Sequence, residues 1–254
     1  MKGEPLVLIT GGARRIGRAL ALAAAREGFD VAVHYNHSRK EAETLAGEIE
    51  ALGRKAALLR ADLSRPAEIE DLAAELAGLS GLYALVNNAS IYEKVSWRET
   101  DRENWDRHIM INLTAPFLLS QAFARARGAG QPAQPAQPVQ QAQPGRKGRI
   151  INLLDWRVDR AEPGHFPYSV SKAGLASMTR NLALALAPDI AVNAIALGDV
   201  LPPTDGTSGG SPDRIPARRR AFLNEVEEAF LFLLKGPEFM SGEILRLDGG
   251  KHLL

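Results

Sequence analysis

The chain has 254 residues, 45% of them hydrophobic and 24% charged, enough to bury the core of one large α/β domain or two small ones. Lysine and arginine total 31 against 30 acidic residues, so net charge gives no reason to expect nucleic acid or an acidic membrane as partner. Cysteine is absent, which removes disulfides, thiolate catalysis and cysteine metal sites, and no metal centre is expected. The apolar run near the N-terminus is too short for a secretory leader, and no apolar run reaches the ~18 residues of a membrane span. A cytoplasmic enzyme acting on a small molecule is the expectation.

Short β-rich runs alternate with longer helical patterns along the chain. Strands are predicted near 5–10, 30–35, 55–60, 82–86, 149–154, 189–195 and 243–247, and helices near 15–27, 39–52, 66–77, 101–126, 166–186 and 216–234. This alternation predicts an α/β fold: one doubly wound, Rossmann-type domain over 1–254 with a seven-stranded parallel sheet, binding its ligand at the carboxyl ends of the strands. Two segments break the rhythm. Residues 128–148 repeat Gln-Pro-Ala units that cannot bury apolar area, and they join a helix to a strand on the side opposite the catalytic rim. Residues 198–216, rich in Gly, Pro and Ser, follow a strand's carboxyl end and read equally as a substrate lid or a surface loop.

After the first strand comes Thr10-Gly11-Gly12-Ala13-Arg14-Arg15-Ile16-Gly17, running directly into a helical pattern. Glycines there let the backbone approach a pyrophosphate, which the helix's free N–H groups attract. Alone, such a turn often serves only to pack a helix on a sheet. Further along stand Asn87-Asn88-Ala89, Tyr168-x-x-x-Lys172 and Asp248-Gly249-Gly250. These four motifs in this order resemble the short-chain dehydrogenase/reductase family, over nearly the whole chain apart from the Gln/Pro insert. Arg15 stands where the family's commonest pattern has its middle glycine, as in the pteridine-reductase-like branch.

The resemblance implies a nicotinamide cofactor held by Gly11, Arg15, Ile16, Gly17, Asn88 and Lys172, with Asp62 near the adenine. Asp62 reads alternatively as a helix N-terminal acid. No carboxylate lies between Asp30 and Glu41; the stretch is His34-Tyr35-Asn36-His37-Ser38-Arg39-Lys40. An acid at the end of strand two would repel a 2′-phosphate, whereas His37, Ser38 and Arg39 offer donors and positive charge, so NADPH (NADP+) is expected. The alternative is the basic first turn of a solvated helix.

Tyr168 and Lys172 lie one helical turn apart and share a face. An ammonium beside a phenol favours phenolate, which would lower the tyrosine pKa towards neutrality. The resemblance assigns Tyr168 as proton donor, Lys172 as its tuner and a ribose ligand, and Asn112 as the holder of a proton-relay water; without it, Tyr-x-x-x-Lys is a common surface pair and Asn112 an ordinary helix amide. Most of the family carries a serine thirteen residues before the tyrosine, and this chain has Asp155. A carboxylate would repel a developing alkoxide but can accept the N–H of an amidine-like heterocycle. Aspartate at that position resembles pteridine reductases and dihydromonapterin reductases, and Ser90 and Tyr92 resemble their substrate wall, with Arg15 reaching a pterin edge. Tyr92 reads equally as a core or interface tyrosine.

The expected activity is therefore hydride transfer from NADPH to a pteridine or dihydropteridine C=N bond. The alternatives are a carbonyl or 3-oxoacyl reductase and, in another class, a non-catalytic NADPH-binding sensor or scaffold. The resemblance also implies a homo-oligomer, dimer or tetramer, built through the helices near 101–126 and 166–186.

Overall fold

The computed structural model describes residues 4–129, 148–202 and 212–254. Most of the Gln/Pro insert and residues 203–211 of the candidate lid lie outside this set. Seven strands form one parallel sheet in the order β3-β2-β1-β4-β5-β6-β7: β1 Leu6–Ile9, β2 Asp30–Tyr35, β3 Ala56–Arg60, β4 Leu82–Asn87, β5 Gly148–Asp155, β6 Ile190–Leu197 and β7 Ile244–Leu247. The helices are α1 Arg15–Arg26, α2 Arg39–Ala51, α3 Pro66–Gly78, α4 Arg102–Ile109, α5 Ala115–Ala126, α6 Phe166–Ala185 and α7 Leu223–Lys235.

Strand residues alternate faces, and β1 shows the consequence. Val7 and Ile9 pack with Leu20 of α1, Leu45 of α2 and Phe230 of α7, while Leu6 and Leu8 pack with Leu72 of α3 and Leu119 and Phe123 of α5. Both faces are covered, so the strands are apolar on both sides. The strand order reverses between β1 and β4, and the crevice for a ligand opens at that switch point, outside the strands' carboxyl ends.

Two helices depart from the sequence expectation. The run predicted over 101–126 is broken by one wide π turn, Met110–Thr114, a form of turn that collects at functional sites; it carries Asn112. The helix predicted to begin at 216 begins at Leu223. Before it, Arg218 sits at φ 52°, a left-handed conformation that interrupts a helix, and the Glu225 carboxylate accepts the Phe222 N–H at 2.7 Å, closing the N-terminus.

Candidate active site

A cleft of about 730 Å³ runs from Gly11 past Asn88 to Asp155, Tyr168 and Lys172. At its first end the Thr10 hydroxyl donates to Val86 O at 3.2 Å and accepts from Asn88 N and Ala89 N, both at 3.0 Å. Asn88 Nδ2 donates to Thr10 O at 2.8 Å and Gly11 O at 3.1 Å, so Asn88 braces the turn from beneath. A Cβ on Gly17 would stand 2.2 Å from Gly11 O, so only bare backbone fits. The N-terminus of α1 has no side-chain cap and no acid in its first turn, leaving its N–H donors open to an anion. Asn36 Oδ1, buried at the same cleft, has no partner. These features fit a dinucleotide. Ile16 lines the cleft, and Arg15, at φ 53°, donates to Pro202 O at 2.8 Å, tying the turn to the start of the candidate lid.

The stretch His34–Lys40 begins in β2 and runs into the first turn of α2. His34 is buried: its Nδ1 accepts the Gly11 N–H at 3.0 Å and its Nε2 lies 3.0 Å from Ala61 O. Burial lowers its pKa to about 4, so it is a neutral clamp rather than a cation. His37 is exposed and Arg39 bonds Glu43 at 2.7 Å, while Ser38 stands at the N-cap of α2 with no capping bond. The cleft wall here is formed by Arg14 and Asn36. Asp62 also lines it; burial pushes its carboxyl up, but hydrogen bonds from Ser64 and Asn36 outweigh that and hold it below its ordinary value.

At the other end β5 delivers Asp155 and α6 delivers Tyr168 and Lys172. The Tyr168 hydroxyl donates to Asp155 Oδ2 at 3.1 Å. Burial first, then the Asp155 charge, raise the tyrosine pKa well above its ordinary value. The expected shift towards phenolate is thus reversed in the chain by itself: a buried phenol beside a carboxylate resists ionising. Lys172 Nζ donates to Leu153 O at 2.8 Å, and burial lowers its pKa to about 8 against the pull of Asp155.

Asn112 is fully buried. Its Nδ2 donates to Ile91 O and Ser171 Oγ, each at 3.0 Å, and its Oδ1 accepts from Ser90 Oγ and Ile91 N. It therefore locks the segment after β4 onto α6. That segment presents Tyr92, whose ring stacks on His165 at 4.5 Å and meets Tyr168 edge-on at 4.7 Å. Sequence reasoning missed Arg157, which chelates Asp155 at 3.0 and 3.1 Å, and His165. The one available signal was an aspartate two residues before the arginine, the spacing of an Asx turn, and Asp155 does accept the Arg157 N–H at 2.9 Å.

The Asp248-Gly249-Gly250 motif supports the site from behind. A Cβ on Gly198 would stand 2.7 Å from Asp248 Cα, so the candidate lid leaves β6 pressed against that turn. Among the described residues no cluster of side chains is arranged to hold a metal, and no helix is long and apolar enough to cross a membrane.

A parallel sheet with this switch-point cleft, ending in a tyrosine and a lysine one turn apart, is the architecture of a nicotinamide-linked oxidoreductase. Residues 5–211 match the short chain dehydrogenase family, and the chain belongs to it. A 3-oxoacyl-[acyl-carrier-protein] reductase of Synechocystis sp. is 31% identical over 253 residues, covering 96% of each chain. Among solved structures, the FolM alternative dihydrofolate reductase 1 of Brucella canis, complexed with NADP, is 35% identical with a TM-score of 0.83, covering 98% of this chain and 95% of that one. A blue fluorescent protein from a metagenomic library, in complex with NADPH, is 28% identical with a TM-score of 0.84, covering 97% of each.

Proposed function

We propose that the protein is an NADPH-dependent reductase acting on a C=N bond of a pteridine or dihydropteridine, with Tyr168 as the proton donor. The observation that carries this reading is the 3.1 Å hydrogen bond from Tyr168 to Asp155. Gly11, Arg15, Ile16, Gly17, Asn88 and Lys172 would hold the nicotinamide cofactor, which when bound would supply a hydride for the substrate carbon. Tyr168, kept protonated by its surroundings, gives its proton to the adjoining nitrogen, which becomes N–H. Asp155 accepts an N–H from the amidine-like edge of the ring and holds the heterocycle against the phenol. Lys172, with a pKa of about 8, is still an ammonium at pH 7 and offsets the negative charge left on Tyr168. Asn112 keeps the Ser90–Tyr92 wall in place. The Brucella FolM neighbour, named a dihydrofolate reductase and solved with NADP, supports both the heterocycle and the cofactor.

Preference for NADPH rests on Arg14, the donors of the first turn of α2 and the lack of an acid between Asp30 and Glu41. A homo-oligomer through α5 and α6 is part of the same reading, supported by Phe117, Val170 and Leu184, which are large and apolar yet exposed.

A second reading, reduction of a 3-oxoacyl thioester, is favoured by the Synechocystis relative. It must contend with Asp155, whose charge opposes a developing alkoxide. Steady-state NADPH oxidation with a dihydropterin, a simple ketone and an acetoacetyl thioester separates the two: the pterin should be fastest. The thioester alone turning over would establish the second reading, and no turnover with any of the three would favour a binding protein. Calorimetry should give NADPH at least ~10-fold tighter than NADH, ~1.4 kcal/mol.

A further inference from the structure

We propose that Arg157 is a positioning and specificity-determining residue: its guanidinium locks the Asp155 side chain beside the Tyr168 hydroxyl as a hydrogen-bond acceptor, so that the site selects substrates presenting a donor there. The inference on substrate choice rests on the pteridine reading above; the lock itself does not.

The lock is visible bond by bond. The turn Trp156–Asp159 follows β5 directly and folds Arg157 back over Asp155. Oδ1 accepts the Arg157 backbone N–H at 2.9 Å and Nη1 at 3.1 Å; Oδ2 accepts Nη1 at 3.0 Å and the Tyr168 hydroxyl at 3.1 Å. Both side chains are largely buried, 17% and 14% exposed, so little water competes. The guanidinium is itself held, 4.7 Å from the Trp156 ring and 5.9 Å from that of Tyr92, with Nε 3.6 Å from Glu162 Oε2. Burial works hardest against its charge, but the charge and hydrogen bond of Asp155, with Tyr92 and Tyr168, together outweigh it and raise its pKa. The other ionisable groups around the pair are Tyr92 after β4, Glu162 and His165 before α6, Tyr168 and Lys172 on α6, and, farther out, Lys94 and Asp199.

Oδ2 carries two hydrogen bonds, from Arg157 Nη1 and the Tyr168 hydroxyl, and the guanidinium keeps it facing the cleft as an acceptor. Without the guanidinium the carboxylate keeps only the Arg157 backbone N–H on Oδ1 and can turn Oδ2 away from Tyr168, so a ring N–H loses its acceptor there. Arg157 thus decides which partner Asp155 can take.

The test uses the full chain saturated with NADP+ or NADPH, in wild type, Arg157→Gln, Arg157→Lys and Arg160→Gln, the last removing a charge from the same short turn. The 13C carboxyl resonance of Asp155, assigned by its loss in Asp155→Asn, should move and broaden at fixed pH in Arg157→Gln, where the side chain has lost its anchor, and keep its wild-type position and width in Arg160→Gln. The ratio of dihydropterin to ketone kcat/KM should fall at least ~10-fold in Arg157→Gln. Arg157→Lys keeps the charge but loses the planar guanidinium stacked on Trp156 that aims Nη1 at both carboxylate oxygens, so kcat should fall more than KM changes; it also serves if the glutamine variant fails to fold. An unchanged Asp155 resonance with an unchanged substrate ratio in Arg157→Gln, or a wild-type kcat in Arg157→Lys, overturns the proposal. A displaced resonance in an enzyme that never reduces a pterin upholds the lock and overturns the pteridine reading.

Discussion

The two ends of the cleft are built from different materials. At the Thr10–Gly17 end the ligand surface is backbone: Gly11 at φ 60°, no room for a Cβ at Gly17, and a helix start without a side-chain cap. At the Asp155–Tyr168 end it is side chain: a carboxylate that accepts from a phenol at 3.1 Å and from a guanidinium at 3.0 Å. Backbone surfaces recognise what phosphates share and tolerate almost no substitution. Side-chain surfaces recognise what distinguishes one substrate from another, and one residue can change them. Damage at the first end should appear in cofactor affinity, and damage at the second in turnover and substrate choice.

The sharpest test of that division is Tyr168→Phe. The ring stays buried and only the proton is lost, so kcat should fall ~10³-fold, about 4 kcal/mol, while calorimetry shows an unchanged NADPH dissociation constant. A comparable loss of affinity would break the division. Gly17→Ala should do the reverse. Its new methyl meets Gly11 O and Asn88 Nδ2, so NADPH should bind ~100-fold more weakly, ~2.7 kcal/mol, with kcat at saturating cofactor little altered in stopped-assay rates.

His34 extends the comparison to pH. Its folded pKa, about 4, lies below the ordinary imidazole value of 6.5, so between those values the unfolded chain binds more protons than the folded one. Stability is therefore fully present above pH 6.5 and drains away as pH falls towards 4, on the order of 2 kcal/mol by about pH 4.5. Denaturant melts of wild type and His34→Gln, whose amide keeps a donor and an acceptor, should diverge in this window. Parallel curves would mean that the ring is not the buried neutral clamp beneath Gly11. The smallest effect is the most specific. Asp155→Ser should lower pterin kcat/KM at least ~10-fold, ~1.4 kcal/mol, and leave ketone turnover level or raised; a serine variant that keeps its pterin activity removes the role given to the carboxylate.

Much of the cofactor end was legible because its rules are local. A Gly-rich turn between an apolar strand and an Ala/Leu-rich helix is a property of eight consecutive residues, and Tyr168-x-x-x-Lys172 needs only helical periodicity to share a face. Asp155 stood out only through the family resemblance, as an aspartate thirteen residues before Tyr168 where most members carry a serine. Arg157 did not, because an arginine two residues beyond a strand end is ordinary until the chain turns it back onto its neighbour. The role of His34 was hidden for the same reason: only the packing of β1, β2 and β3 brings its ring between Gly11 and Ala61. The π turn at Asn112 was equally hidden, since its residues carry a helical pattern.

By itself, then, the amino-acid sequence determined the seven strands, their order of appearance, the two-faced core and the residue types at the cleft, all of which follow from short-range periodicity and backbone sterics. The tertiary structure decided the charge states. Tyr168 sits in a buried pocket against Asp155, so its phenol is pushed up rather than down; His34 is neutral; Arg157 claims the carboxylate that Tyr168 also needs. Protonation depends on desolvation and on charges brought within a few ångströms across long sequence separations, and those distances exist only once the sheet and helices have packed.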